Sequence, residues 1–482
     1  MTTDAALQPA RGRVSLRGAM AWAALGLTLL LPLFLLHVRA GADAAISGVA
    51  ALFLLRSAWD RDWAWLRRPW VAAALAWWGW TLACTVLAAA ADGGAKPAIQ
   101  AALVIRFLAF AAALEHWVLR DGRARSWLLA SLSAAAAWVA GSCILQLLTG
   151  RNLAGYPRWG DGELTGPFRG PRAAPTLVRI LFPTMLPAAA WLEHRGRRWA
   201  AAALVAAGVA VVVLIGQRMP VLLTGLGLLV AGLLLPRIRG MAAAAILAAA
   251  ILVGATAVVS PPAFYRLVTK FSHQVATFPD SPYGQITARA VEMARQHPWA
   301  GLGFNAFQRH CPDPEYQHGW RWPADPTDDG GGAGMCVTHP HSFYLQALTD
   351  AGLPGLIAFT VLVALWLWRL GQGLWRQPDP LRAGLFIAVL IQAWPLASTS
   401  PMVSLPMGGW FFLVLGFGLA AAGPGTADSA PQRPVSPKPA PHGSESPRSA
   451  IAQFATNQSA TGQSATGQSA TGQSAPNEAT PS

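Results

Sequence analysis

The chain has 482 residues, 54% of them hydrophobic and only 12% charged, with a mean hydropathy of +0.38. Soluble domains carry about 25% charged residues, so this composition excludes an ordinary soluble enzyme, and the apolar content excludes a chain disordered throughout. The 36 Lys and Arg against 22 Asp and Glu leave a net charge of +14, which would suggest a nucleic-acid partner only if the cations gathered on a soluble surface.

A bilayer core ~30 Å thick takes about 20 apolar residues per helix, and runs of that kind recur along the chain. They predict helices over residues 18–38, 39–56, 70–90, 99–119, 126–149, 173–192, 198–216, 219–236 and 240–260. Three more are predicted over 342–368, 381–397 and 404–422. The fold class is therefore an all-α integral membrane protein of about twelve transmembrane helices. Residues 1–17 read as an N-terminal segment, 18–260 as helices one to nine, 261–341 as one large outer loop and 342–422 as the last three helices. Residues 423–482 are Pro-, Ser- and Gln-rich, end in a Gln-Ser-Ala-Thr-Gly repeat from Gln458, and are expected to be a disordered tail. The Ala40-Gly41-Ala42-Asp43-Ala44 stretch would pass for a signal cleavage site, but cleavage there would leave the topology of the rest unchanged.

Short connections rich in Arg mark the cytoplasmic side. Arg11, Arg13 and Arg17, then Arg56, Arg61, Arg67 and Arg68, then Arg120, Arg123 and Arg125 alternate with arginine-poor connections. Arg195, Arg197 and Arg198, Arg237 and Arg239, and Arg369, Arg376 and Arg382 continue the pattern. Both termini are thus expected in the cytoplasm and the long loop outside. Most of the positive charge is an orientation signal, and no nucleic-acid partner is implied.

The informative cations are those that this bias should have removed. Arg218 lies in the outer turn Ile215-Gly216-Gln217-Arg218-Met219-Pro220, and Arg151, Arg158, Arg169 and Arg172 crowd the outer loop 150–172. Arg106 and Arg179 fall inside predicted spans, where each costs about 2.5–3.5 kcal/mol on insertion scales. Snorkelling to lipid phosphates, or pairing with Asp161 and Glu163, would account for any one of them. Together they suit an anionic ligand such as a pyrophosphate, which guanidinium groups bind bidentately.

Within the long loop, Ser281 to Pro298 has the composition of an amphipathic helix lying on the membrane. Trp299-Ala300-Gly301-Leu302-Gly303-Phe304 then forms a glycine turn with aromatic flanks. Cys84 and Cys143 lie in spans as small apolar residues, whereas Cys311 and Cys336 both face the oxidising side and are expected to form a disulfide. A zinc site using them with His310 and His339 is the lesser alternative. Asp325, Asp328 and Asp329 lack the spacing of a calcium loop and read as solvated. His339 and His341, directly before a span, either cap the next helix or supply a general base, since a neutral imidazole with pKa ~6.5 at the membrane edge suits that task.

The sequence resembles the O-antigen ligase/polymerase superfamily of bacterial envelope glycosyltransferases. His341-Ser342, nine residues, then Gly352-Leu353-Pro354-Gly355 fits the ligase signature, Arg218 followed by Leu222 matches an outer-turn feature, and Pro298, Gly301 and Gly303 match a Pro-x-x-Gly-x-Gly element. The resemblance implies a GT-C-like membrane glycosyltransferase in the bacterial inner membrane with a periplasmic active site. It implies as substrates an undecaprenyl-pyrophosphate-linked glycan donor and a lipid A-core acceptor, reached through membrane lipids. Carried over, His341 is the catalytic base, Arg218 holds the pyrophosphate, and inverting transfer proceeds without a cofactor or a metal. The family often shows an Arg with a Trp four residues later ahead of the Pro; here Arg289 is the candidate second pyrophosphate ligand, with Arg266 behind it. Arg179 and Arg158 are further pyrophosphate candidates, and His339, Gln217 and Arg169 complete the candidate site. The polymerase and the protein O-oligosaccharyltransferase of the same superfamily share this chemistry. A polyprenyl-glycan flippase is the alternative from another class, but it should carry polar residues down several spans, whereas these gather at the outer edge.

Overall fold

A computed structural model describes residues 16–92, 94–160, 162–317, 336–397 and 401–423. Arg11, Arg13, Asp161, the acidic run with Asp325, Asp328 and Asp329, and the repeat tail lie outside the described residues. Among the described residues the regular elements are all helical, and strand-like pairing is confined to the isolated bridges Arg151–Pro157 and Trp159–Glu163.

Nine of the described helical segments are long and apolar enough to cross a membrane. They are α1 (Leu16–His37), α2 (Arg39–Asp60), α3 (Pro69–Asp92), the broken segment α4 (Lys96–Ala102) with α5 (Ile105–Ala113), and α6 (Gly122–Thr149). The rest are α7 (Ala173–His194), α8 (Arg198–Ile215), α10 (Arg239–Val259) and α15 (Phe343–Gly371). Three shorter apolar helices, α9 (Arg218–Leu234), α16 (Pro380–Gln392) and α17 (Met407–Ala421), fall at the remaining predicted spans. The predicted 99–119 span is not one rod. Leu103 and Val104 form a tightened turn between α4 and α5, and Arg106, one turn on, pairs with Asp43 of α2 at 2.7 Å.

Helix association in lipid rests on close packing, because lipid tails are as apolar as leucine. The centre is α17, in which every residue from Met407 to Ala421 is buried. Phe412 stacks on Phe107 of α5 at 5.1 Å, and Phe411 meets Trp366 of α15 edge-on at 5.8 Å. Beside it, Gly384 of α16 lets two backbones touch, since a Cβ there would stand 2.5 Å from the carbonyl oxygen of Phe182 in α7. At the periphery α10 leaves Leu247, Ile251 and Val258 exposed, as a helix facing lipid must.

The outer loop is largely helical: α11 (Pro261–Phe264), a π turn over Tyr265–Thr269, α12 (Lys270–Ala276), α13 (Pro282–Gln296) and α14 (Ala306–His310). The helix expected over Ser281–Pro298 forms, started by Ser281, whose hydroxyl accepts from the Gly284 amide at 3.1 Å. Its apolar face does not lie on lipid. Ile286, Ala290 and Met293 pack instead with Phe307, Cys311 and Tyr316, because the chain folds back and supplies a protein surface first.

Candidate functional site

The site is built on a backbone joint. Helix α15 breaks at Ala351 and Gly352, which leave helical geometry with φ −141° and +65°. Pro354 has no amide hydrogen to offer the Asp350 carbonyl, and the Leu353 amide turns away from Thr349 to donate to the Pro298 oxygen at 2.7 Å. The abandoned carbonyls are taken by the glycine turn: Leu302 N–H donates to Thr349 at 2.9 Å and Gly303 N–H to Asp350 at 3.0 Å. A Cβ on Gly301 would stand 2.5 Å from the Thr349 oxygen, and one on Gly352 would stand 2.5 Å from the Trp299 carbonyl carbon. The Pro-x-x-Gly-x-Gly and Gly-x-x-Gly elements are therefore two halves of one interlock. The buried Asp350 carboxylate fastens it by accepting from the Ala306 amide at 3.0 Å, and the Trp80 indole donates to the Ala351 carbonyl at 2.9 Å.

This joint fixes the start of α15, and with it His341. That residue takes a left-handed backbone, φ +54°, immediately before Ser342, whose hydroxyl caps the Leu345 amide and donates to the Pro395 carbonyl at 3.3 Å. The imidazole lies edge-on to Tyr283 of α13 at 5.3 Å and against His339 at 4.4 Å, centroid to centroid. Burial disfavours its charged form and pushes its pKa below the usual 6.5, so it is neutral at neutral pH. A neutral, half-enclosed imidazole can accept a proton.

Two clefts lie near this histidine pair, one lined by His339 and the other by Ser281 and Pro282, the residues before Tyr283. On the Tyr283 side, α12 and the start of α13 enclose a groove of about 610 Å³ lined by Lys270, His273, Gln274, Ser281 and Pro282. Arg218, the first residue of α9, sits over the Phe271 ring and donates to Gln274 on that groove's wall. On the His339 side lies a chamber of about 1180 Å³ lined by Arg39, Arg106, Arg172, Asp43, Gln100 and Gln308, among others. His339, whose Nδ1 is 3.0 Å from the Thr338 hydroxyl, forms part of its wall.

The other expected site residues are spread more widely. Arg289 is 3% exposed and directs its guanidinium at the sulfurs of Cys311 and Cys336, 3.5 and 3.3 Å away. Those two cysteines are joined as a disulfide with Cα atoms 5.6 Å apart, so they are not zinc ligands, and His310 instead meets Asp313 at 2.9 Å. Arg179 is buried within α7 and donates to the Pro175 carbonyl of its own helix. Arg158 donates to the Leu147 carbonyl at 3.0 Å. None of these three arginines lines the groove or the chamber. Arg266 pairs with buried Glu163, Arg169 lies over the Tyr156 ring, and the Gln217 amide donates to the Pro171 carbonyl at 3.0 Å. Arg266 and Gln217 thus brace the 150–172 loop against the π turn after α11 and the start of α9. Burial holds the Arg289 pKa below its ordinary value, as expected for a cation enclosed to support its neighbours.

Sequence reasoning passed over Arg39. It opens α2, which the expected topology puts on the side where the positive-inside bias should have removed it, so the test that singled out Arg218 would have found it. Gln100, Asn305 and Gln308 carried no comparable signal; the fold alone gathers them.

Residues 185–360, from the middle of α7 into α15, match the family model described as O-antigen ligase. This segment of the chain is similar to the O-antigen ligase family. The matched segment holds Arg218, Arg266, Arg289, the glycine turn, both histidines and the α15 break. No curated protein matches the chain. Members of that family are membrane glycosyltransferase-like enzymes, and the nine described apolar helices of this chain imply a multi-pass membrane protein.

Proposed function

We propose that the protein is an O-antigen ligase of the bacterial inner membrane that transfers a glycan from undecaprenyl pyrophosphate to a hydroxyl of a lipid A-core acceptor at the periplasmic face. The observation that carries this reading is His341, a neutral, desolvated base held ahead of the α15 joint against Tyr283 and His339. His341 takes the acceptor hydroxyl proton as the oxygen attacks the anomeric carbon. The new C–O bond forms as the bond to the pyrophosphate breaks, inverting that centre, and undecaprenyl pyrophosphate leaves with the electron pair. The imidazolium then returns its proton to water.

In this reading Arg218 stabilises the charge that grows on the leaving group, a role a divalent metal fills elsewhere. Its place beside Gln274, on the wall of the α12–α13 groove, supports putting the donor on the groove side. Arg289 acts indirectly, by ordering the disulfide segment behind α13. The test is the lipopolysaccharide of cells carrying His341→Ala. Uncapped core with accumulated long lipid-linked polymer is expected. A ladder collapsed to single repeats would assign polymerase activity instead, and unchanged lipopolysaccharide would remove His341 from the chemistry.

A further inference from the structure

The chamber on the His339 side is built for an anion. Three helices begin on its wall: α2 at Arg39, α7 just after Arg172, and α17 at Met407. None of the three has a side-chain cap, so each brings the positive end of a long helix to the same space. Arg39 and Arg172 are exposed to it, and neither has a side-chain hydrogen bond or ion pair among the described residues. Arg106 lines the same chamber, paired bidentately at 2.7 and 3.3 Å with Asp43, the one carboxylate among its described lining residues. Two guanidinium groups without a protein counter-charge on one wall make the chamber positive and leave their donors available to an anion.

The rest of the lining suits a carbohydrate. Gln100, Asn305 and Gln308 supply amide donors and acceptors for sugar hydroxyls. About 1180 Å³ is ample for several sugar rings.

We propose that this chamber is the acceptor site, and that it recognises a phosphate-bearing oligosaccharide through Arg39 and Arg172, with Arg106 held in place by Asp43. This rests on the reading above in which the donor pyrophosphate occupies the groove beside Arg218. The phosphate anchors the acceptor sugar at the far wall, and the hydroxyl to be glycosylated reaches His341 past His339. Guanidinium groups grip phosphate by paired, charge-assisted hydrogen bonds, so each lost cation weakens binding about tenfold.

The experiment measures binding without turnover. The full chain in lipid nanodiscs is titrated with a phosphorylated lipopolysaccharide core oligosaccharide, and with the same oligosaccharide after its phosphates are removed. Wild-type and His341→Ala proteins should bind the phosphorylated probe equally. Arg39→Gln with Arg172→Gln should weaken it about a hundredfold, Arg172→Glu should weaken it more than Arg172→Gln, and the dephosphorylated probe should not distinguish the proteins. Added undecaprenyl pyrophosphate should leave probe binding unchanged. Displacement by it would give the chamber to the donor, and equal binding by the double variant would overturn the site. If His341→Ala leaves transfer intact, the ligase reading fails, and that failure is seen separately from these titrations.

Discussion

The α12–α13 groove is lined up to Pro282, the residue before Tyr283, and the arginine chamber by His339, the two rings that touch His341, yet they draw on different parts of the sequence. The groove, the glycine turn and the α15 break all lie inside the family-matched residues 185–360. Arg39, Arg106 and Arg172 lie outside them and come from three separate helices or helix starts. A base must be placed to within tenths of an ångström, and backbone hydrogen bonds between short glycine-bearing segments do that. A phosphorylated sugar needs only long cations around a roomy space, which distant helices can contribute. The joint is therefore written as a motif, whereas the chamber is written as charge in the wrong place.

The sharpest way to break this division is His341→Ala, expected to lower transfer by about 10²–10⁴-fold with both ligands still bound. Gly352→Ala should come next. Its Cβ would press on the Trp299 and Pro298 backbone at a residue with φ +65°, costing about 2–4 kcal/mol. Thermal unfolding in detergent would show this, with Gly240→Ala in open space at α10 unchanged or slightly stabilised. Cys311→Ala with Cys336→Ala should remove about 3 kcal/mol of constraint over a sequence separation of 25 residues. Limited proteolysis should then open the α13–α14 segment while the chamber keeps its affinity. Arg218→Lys should have the smallest effect, about tenfold on transfer, because charge remains but the flat guanidinium over Phe271 is lost. Should that variant weaken acceptor binding instead, the two clefts would have to exchange roles.

Much of this architecture was legible before any coordinates. The apolar runs locate the helices because lipid leaves the backbone no other partner, and Cys311 and Cys336 could be paired from the side of the membrane they share. The break at Leu103–Val104 was not legible, since nothing in an apolar run marks where a helix tightens to let Arg106 meet Asp43. The helix at 282–296 was readable, but its partner was not: an apolar face looks the same whether lipid or Phe307 and Tyr316 cover it. Among the site residues, His341 and the glycines were visible as spacing, although spacing does not show that Gly301 and Gly352 touch the same joint. Arg289 shows what packing adds to a motif. An outer-side arginine near a motif reads as a phosphate ligand, and only packing reveals that it faces two sulfurs.

The account turns on a neutral His341 accepting the acceptor proton, and the pH dependence of transfer tests this most directly. Burial lowers the imidazole pKa, so the neutral form persists on acidification to below the usual 6.5. Transfer by the purified protein at saturating donor and acceptor should be flat through neutral pH and fall only below about 6.5, and the residual rate of His341→Ala should lack that limb. A wild-type profile that falls as pH rises through neutrality, or a limb that survives in His341→Ala, would contradict it.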